Sequence, residues 1–149
     1  MKKIIPLVLA FILAACSASA PSEYDRNLEK WQGANITRYR YTLFIGCFCV
    51  FMDQMPLTVE VRDGEVASVT RSDGTAVSPS DSFYEFYEPY LTMDRLFLEL
   101  ETVLTGDADV VAVTYDPVHG FPLNIAIDYI EEAIDDELSI QVSNFVTLE

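Results

Sequence analysis

Between Tyr39 and Cys47 the chain alternates. Tyr39, Tyr41, Leu43, Ile45 and Cys47 fall on one side, and Arg40, Thr42, Phe44 and Gly46 on the other. A period of two marks a strand, because successive side chains of extended backbone point to opposite faces. The aromatic and β-branched content supports the same reading. Leu57, Val59 and Val61 repeat the rhythm, and Asp63-Gly64 supplies a tight hairpin turn into Glu65–Arg71. Across that turn Arg62 and Glu65 become neighbours of opposite charge. A chain committed to this much antiparallel strand has to find apolar cover for one face of its sheet.

Two segments at helical spacing offer that cover. Tyr24, Leu28 and Trp31 predict a helix ending near Ile36, although Gly33 weakens its last turn. Ser22-Glu23-Tyr24-Asp25 can form a weak capping box, with Asp25 where Glu or Gln is usual. Met93, Leu96, Phe97, Leu100, Val103 and Leu104 make a clearer stripe, closed by Gly106. Residues 72–82 read as a loop. Val110–Tyr115, an uncharged run, reads as a central strand, Leu123–Tyr129 as another, and Ile140, Val142 and Val146 as the last, after a polar bend at Glu131–Glu137. The expected fold is α+β: a mostly antiparallel sheet packed against two helices on one face, in the order α-β-β-β-α-β-β-β. One domain spans residues 23–149. The sequence has neither parallel βαβ rhythm nor a glycine-rich phosphate loop, which sets a nucleotide-binding unit aside.

The N-terminus carries a separate message. Lys2 and Lys3 precede an apolar run, Ile4–Ala15, broken only by Pro6. A membrane span needs about 20 apolar residues, so the run reads as a signal peptide covering residues 1–15. Leu13-Ala14-Ala15-Cys16 resembles the lipobox of bacterial lipoproteins. Cleavage before Cys16 and transfer of a diacylglyceryl group to its thiol are expected, leaving residues 16–22 as lipidated cysteine and spacer. The Cys16 anchor makes membrane lipid a partner, since two or more acyl chains hold a protein where one holds it marginally. The alternative is ordinary secretion with a free cysteine. The expected location is the cell envelope. With two membranes, Ser17 after the cysteine matches the pattern sent to the outer one, facing the periplasm; with a single membrane it is the outer face of the cytoplasmic membrane. The formal net charge is −15, and losing Lys2 and Lys3 takes it to −17. Such a chain is repelled by nucleic acid and by anionic headgroups, so no nucleic-acid partner is expected.

Three groups of residues invite a chemical reading. Outside the cytosol, Cys47 and Cys49 are more naturally a disulfide than free thiols. On a regular strand their Cα atoms would lie about 7 Å apart, too far for the bond, so pairing requires the chain to bend after Gly46. Reduced thiols, redox chemistry and metal binding are the alternatives. The pair lacks the two intervening residues of a thioredoxin-like site, and zinc wants about four ligands where the mature chain offers two cysteines and His119. His119 sits in Tyr115-Asp116-Pro117-Val118-His119-Gly120-Phe121-Pro122. With Asp116, Ser139 or Ser143 beside it, His119 could act as a base; the simpler reading is an exposed turn residue. Asp128 and the run Glu131–Glu137 are rich in oxygen ligands that suit Ca²⁺. They lack the glycine turn and ligand order of a calcium loop, so a solvated bend is simpler. Asp116, His119, Asp128, Asp135 and Asp136 thus form the candidate functional surface, with no catalytic residue, cofactor or metal site assigned. Trp31, Tyr39 and Tyr41 read as core, whereas the aromatic segment 83–90 leans toward exposed recognition.

Taken in order, these elements have a precedent. A tryptophan in a helix (Trp31) precedes a Tyr-x-Tyr strand (Tyr39-Arg40-Tyr41), a Cys-x-Cys pair (Cys47-Phe48-Cys49) and an Asp-Gly hairpin (Asp63-Gly64). Then come a helix with Leu96-Phe97, the turn Tyr115–Pro122, Asp128, and Asp135-Asp136-Glu137 before the last strand. The chain resembles the DUF6174 family, small bacterial proteins of unknown function that are often lipoproteins. Phe121 stands where tyrosine is common in that family. The resemblance covers residues 24–147 and implies no activity. The expectation is a non-enzymatic binding or structural module whose partner is an envelope protein or peptide. A thiol-based or hydrolytic enzyme is one alternative, and a cation-binding or inhibitor-like module another.

Overall fold

A computed structural model of the chain describes residues 22–149. Helix α1 (Glu23–Ala34) starts on a full capping box: the Ser22 hydroxyl accepts the Asp25 N–H at 3.0 Å, and Asp25 accepts the Ser22 N–H at 2.9 Å. Asn35 closes it in the left-handed conformation, φ 50°. Strands β1 (Tyr39–Gly46), β2 (Leu57–Arg62) and β3 (Glu65–Arg71) form one antiparallel meander. Asp63 and Gly64 both have positive φ, as the tight turn demands, and Arg62 stands opposite Glu65. A one-turn helix α2 (Tyr84–Tyr87) and a 3₁₀ turn (Glu88–Tyr90) lead into α3 (Met93–Leu104), where the Thr92 side chain caps the Arg95 N–H. Strands β4 (Val110–Tyr115), β5 (Pro122–Asp128) and β6 (Leu138–Thr147) form a second meander. Pairing of β1 with β6 joins the two into one six-stranded antiparallel sheet, in the order β3-β2-β1-β6-β5-β4.

One face of this sheet is covered. Tyr39, Tyr41, Leu43 and Ile45 of β1 are buried with Leu57, Val59 and Val61 of β2, Ile125 and Ile127 of β5, and Ile140 and Val142 of β6. Met93, Leu96, Phe97, Leu100 and Val103 bring the buried stripe of α3 to them. Trp31 brings α1, meeting Tyr39 edge-on at 5.5 Å. Both long helices lie on this face, because Tyr39 touches α1 through its ring and α3 through its hydroxyl, which accepts the Met93 N–H at 2.9 Å. The Tyr41 hydroxyl donates to the Tyr90 carbonyl at 2.6 Å. The Tyr-x-Tyr pair therefore pins the start of α3 from below.

The α+β class stands, with three corrections. Among the described residues there are three α-helices, since the aromatic segment folds into α2 and a 3₁₀ turn inserted before α3. That segment is not an exposed recognition strip: Tyr87 and Tyr90 are buried, Phe83 and Tyr84 half-buried, and Phe86 alone of the five aromatic residues is exposed. Finally, β4 is the edge of the sheet, not its centre. Its apolar run reads as a strand buried on both faces. In the fold Val111, Val113 and Tyr115 are half-buried, while Val110, Ala112 and Thr114 are exposed.

Candidate functional site

Among the described residues strand β4 pairs with β5 alone, on a single side, and its half-buried residues run past the covering helices where these stop. The N-terminus of α1 and the C-terminus of α3 flank it, leaving a cleft of about 470 Å³. Val111, Val113, Tyr115 and Leu104 provide an apolar floor, and Tyr24 and Thr105 stand at its sides. Ser22, Glu23, Asp25 and Glu101 complete the lining, which contains no basic residue among those described. Tyr24 is fixed by its hydroxyl, donating to the Phe97 carbonyl at 3.1 Å, and by edge-on contact with the Phe97 ring.

The electrostatics of this cleft are uniform. Burial, then the nearby Glu23 carboxylate, then Tyr24, push the Tyr115 hydroxyl up to about 12. Burial, then Glu101, then Asp25, also raise Tyr24. Asp25 is held below the usual carboxylate range, mainly by the Ser22 hydroxyl and backbone, with a smaller pull from Arg26. It therefore stays ionised to lower pH than a free carboxylate. The site is an apolar slot under negative potential, suited to apolar side chains accompanied by a cation.

The residues singled out from the sequence lie elsewhere and apart from one another. Cys16 falls outside the described residues. Cys47 and Cys49 follow the end of β1, where the chain bends; their Cα atoms are 5.2 Å apart and their sulfurs are at disulfide distance. Asp116 and His119 lie in the β4–β5 turn. Asp116 accepts the N–H groups of Val118 and His119 at 3.0 and 2.6 Å, and His119 Nδ1 is 3.3 Å from its carboxylate. The imidazole is half-buried, stacked on Phe121 and tilted against Phe145. Lys30 of α1 donates to the Pro117 carbonyl at 3.0 Å, and Gly120 passes so near α1 that a Cβ there would meet the Asn27 carbonyl oxygen at 2.5 Å. The turn is thus a structural buttress for α1.

Asp128, Asp135 and Asp136 sit at the far end of β5. The seven residues of β5 separate them from the His119 turn by roughly 20 Å of strand. Asp136 accepts the Ile130 N–H at 2.7 Å, and Asp109 accepts the Glu131 N–H at 2.9 Å, so both carboxylates serve the loop. Burial, then Asp136 and Glu137, raise Asp128 above its ordinary value. Among the described residues no three His, Cys, Asp or Glu side chains gather as metal ligands would. The cysteines share this end of the sheet, since Gly46 pairs with Ser139. Phe48 (84 % exposed) and Ile134 (85 % exposed) project from the two loops there. The five residues Asp116, His119, Asp128, Asp135 and Asp136 therefore form two places, not one surface.

The cleft was missed because its residues carry structural signals in the sequence. Tyr24 reads as a helix core position, Glu101 as solvated face, and Val110–Tyr115 as a buried strand.

The family model for a family of unknown function, DUF6174, matches residues 23–147. The chain belongs to this family. The match takes in the whole sheet and the three α-helices described, so all of the cleft lining except Ser22 lies inside the family domain. No curated protein and no solved structure matches the chain.

Proposed function

We propose that this chain is an envelope lipoprotein, tethered through Cys16, whose domain binds a protein or peptide partner and performs no chemistry of its own. The observation that supports the reading is the cleft beside β4, an apolar floor with an acidic rim, open at a sheet edge. Such slots take up extended or apolar segments of other chains. The layout weighs against the hydrolytic alternative, because His119 and the acidic loop lie at opposite ends of β5. No helix among the described residues is long and apolar enough to cross a membrane, and attachment through Cys16 rests on the lipobox-like Leu13-Ala14-Ala15-Cys16. Five residues separate Cys16 from Ser22; the six Cα–Cα steps, fully extended, reach only about 20 Å. The mouth of the cleft, where Ser22 lies, would then stay close to the membrane surface.

The test places a photoreactive side chain at Leu104 in the cleft and, separately, at Arg40 on the uncovered sheet face, in cells making the full-length protein. Illumination should join Leu104, and not Arg40, to another polypeptide. Adducts from Arg40 with none from Leu104 would move the binding surface and remove this reading.

A further inference from the structure

We propose that β4 is a strand-addition site, at which an extended, lysine- or arginine-bearing segment of a partner protein pairs with the free edge and seats alternate side chains in the adjoining cleft. This rests on the reading of the domain as a binding module and specifies how it binds.

The two edges of the sheet are treated differently. At β3 the chain folds back over its own edge: Thr70 bridges to Ala76, Val77 donates to the Val69 carbonyl at 2.8 Å, and Arg71 donates to the Thr75 carbonyl at 2.9 Å. Glu65 and Arg71 add charge at its two ends, and a bulge at Glu60/Val61 disturbs its pairing. These are the devices by which proteins blunt an edge. β4 carries no charge and no proline over Val110–Thr114, its register irregularity falls at the turn end, between Thr114 and Tyr115, and among the described residues Val110–Thr114 receive no backbone bond from outside the sheet.

The direction of its free groups follows from the register. Asp109 donates to the Tyr129 carbonyl, and the ladder continues as Val111 opposite Ile127 and Val113 opposite Ile125. Hydrogen-bonded and non-bonded pairs alternate in antiparallel sheet. Residues 109, 111 and 113 therefore bond to β5, and the N–H and C=O groups of Val110, Ala112 and Thr114 point away from the sheet. An incoming strand meets those groups, while every second side chain of its own turns toward the slot floored by Val111, Val113 and Tyr115. This combination of backbone pairing and alternate pockets is how strand-adding domains recognise peptides.

Charge selects the occupant. Glu23, Asp25 and Glu101 rim the slot, and the whole chain carries −15. A second copy pairing β4 with β4 would bring two acidic rims together, whereas a cationic segment neutralises them. The chain also leaves the domain at Ser22, in the lining itself, and the spacer before it is Ser17-Ala18-Ser19-Ala20-Pro21. Those small side chains offer little to fill an apolar floor.

The test follows amide hydrogen exchange at Val110, Ala112 and Thr114 in the full-length protein held in non-ionic detergent micelles. The probe is a seven-residue peptide alternating valine and threonine with lysine at both ends, supplied up to millimolar concentration. Two controls replace the lysines by glutamates or N-methylate alternate amides. With the lysine probe at ten times its dissociation constant, exchange at the three amides should slow about tenfold, and neither control should protect them. Ala112→Pro should abolish protection while leaving circular dichroism unchanged, because the Ala112 N–H makes no ladder bond. If that variant fails to fold, the N-methylated probe decides the same point. Glu101→Lys should weaken the lysine probe.

Absence of protection by the lysine probe at millimolar concentration would overturn the proposal. So would equal protection by the glutamate or N-methylated probe. Protection in the free protein that grows with protein concentration would assign the edge to a second copy. Failure of the probe while Leu104 still crosslinks to a partner in cells would remove strand addition and leave the binding module; failure of both would remove the module too.

Discussion

Replacing Tyr39 by phenylalanine keeps a ring packed against Trp31 and removes one oxygen, and that oxygen has a specific duty. It accepts the N–H of Met93, the first residue of α3, at 2.9 Å. Met93 is fully buried, so water cannot take over the bond. A buried donor left without a partner costs about 1–3 kcal/mol, and Tyr39→Phe should destabilise the domain by that amount. Tyr41→Phe deletes the hydroxyl that donates to the Tyr90 carbonyl at 2.6 Å. It leaves that buried carbonyl without its donor and should cost a similar amount, about 1–3 kcal/mol. The two rings are neighbours, 6.0 Å apart, and serve the same junction, so the double variant should depart from additivity. Urea unfolding followed by the fluorescence of Trp31 reads both changes, since Trp31 is the single tryptophan and lies 5.5 Å from Tyr39. The Met93 amide should also exchange faster in Tyr39→Phe, by a larger factor than the amides of β2, which report only the global loss. A Tyr39→Phe change within about 0.5 kcal/mol, the range of surface substitutions, would refute the role given to the Tyr-x-Tyr pair.

The remaining predictions concern other parts of the chain. Gly120→Ala, at φ 85° with the Asn27 carbonyl in the way, should cost at least about 2 kcal/mol in thermal or urea unfolding; Gly74→Ala, at φ 86° with open space around it, should cost about 1 kcal/mol, and equal costs would contradict the buttress. Burial raises Tyr39, Tyr41 and Tyr90, and takes Tyr115 to about 12, against 10.0 unperturbed. The unfolded chain loses these protons first, so the stability they hold is intact below pH 10 and falls as pH rises toward the folded values; tyrosinate absorbance should grow together with loss of far-ultraviolet circular dichroism, not before it. The Cys47–Cys49 peptide from non-reduced protein should be lighter by two hydrogens, and the double serine variant should lose no more than about 1–2 kcal/mol because the closed loop is so short; two free thiols in protein taken directly from the envelope would contradict the bond. Metabolic labelling with a fatty acid should vanish in Cys16→Ser, and persistent labelling would remove the anchor.

Much of the fold was legible because two periods in the sequence have one physical cause each. The alternation of Tyr39–Ile45 and Leu57–Val61 and the helical stripe Met93–Val103 are burial patterns, and burial is what the sheet and α3 show. Ser22 with Asp25, and Asp63 with Gly64, are local chemistry that needs no distant partner. Pairing is another matter. Nothing in the residues of β1 and β6 announces that Tyr39 will stand opposite Thr147, and without that pair the place of β4 in the sheet is undetermined. Its apolar run therefore reads as central, and the sequence carries no sign of the cleft beside it. The segment 83–90 failed for a related reason: its aromatic residues have no regular period, because a single helical turn and a 3₁₀ turn are too short to show one. Asp116 and Asp136 stand out as chemical types, and in the fold both accept backbone N–H groups of their own turns.

Strand addition depends on β4 being a free edge, and amide exchange along that strand in the unliganded protein measures it directly. Val111 and Val113, bonded to β5, should exchange slowly, while Val110, Ala112 and Thr114 should exchange fast, a slow–fast alternation over consecutive residues. Uniform protection from Val110 to Thr114 in the isolated protein would mean that the edge is already covered, and would contradict the account.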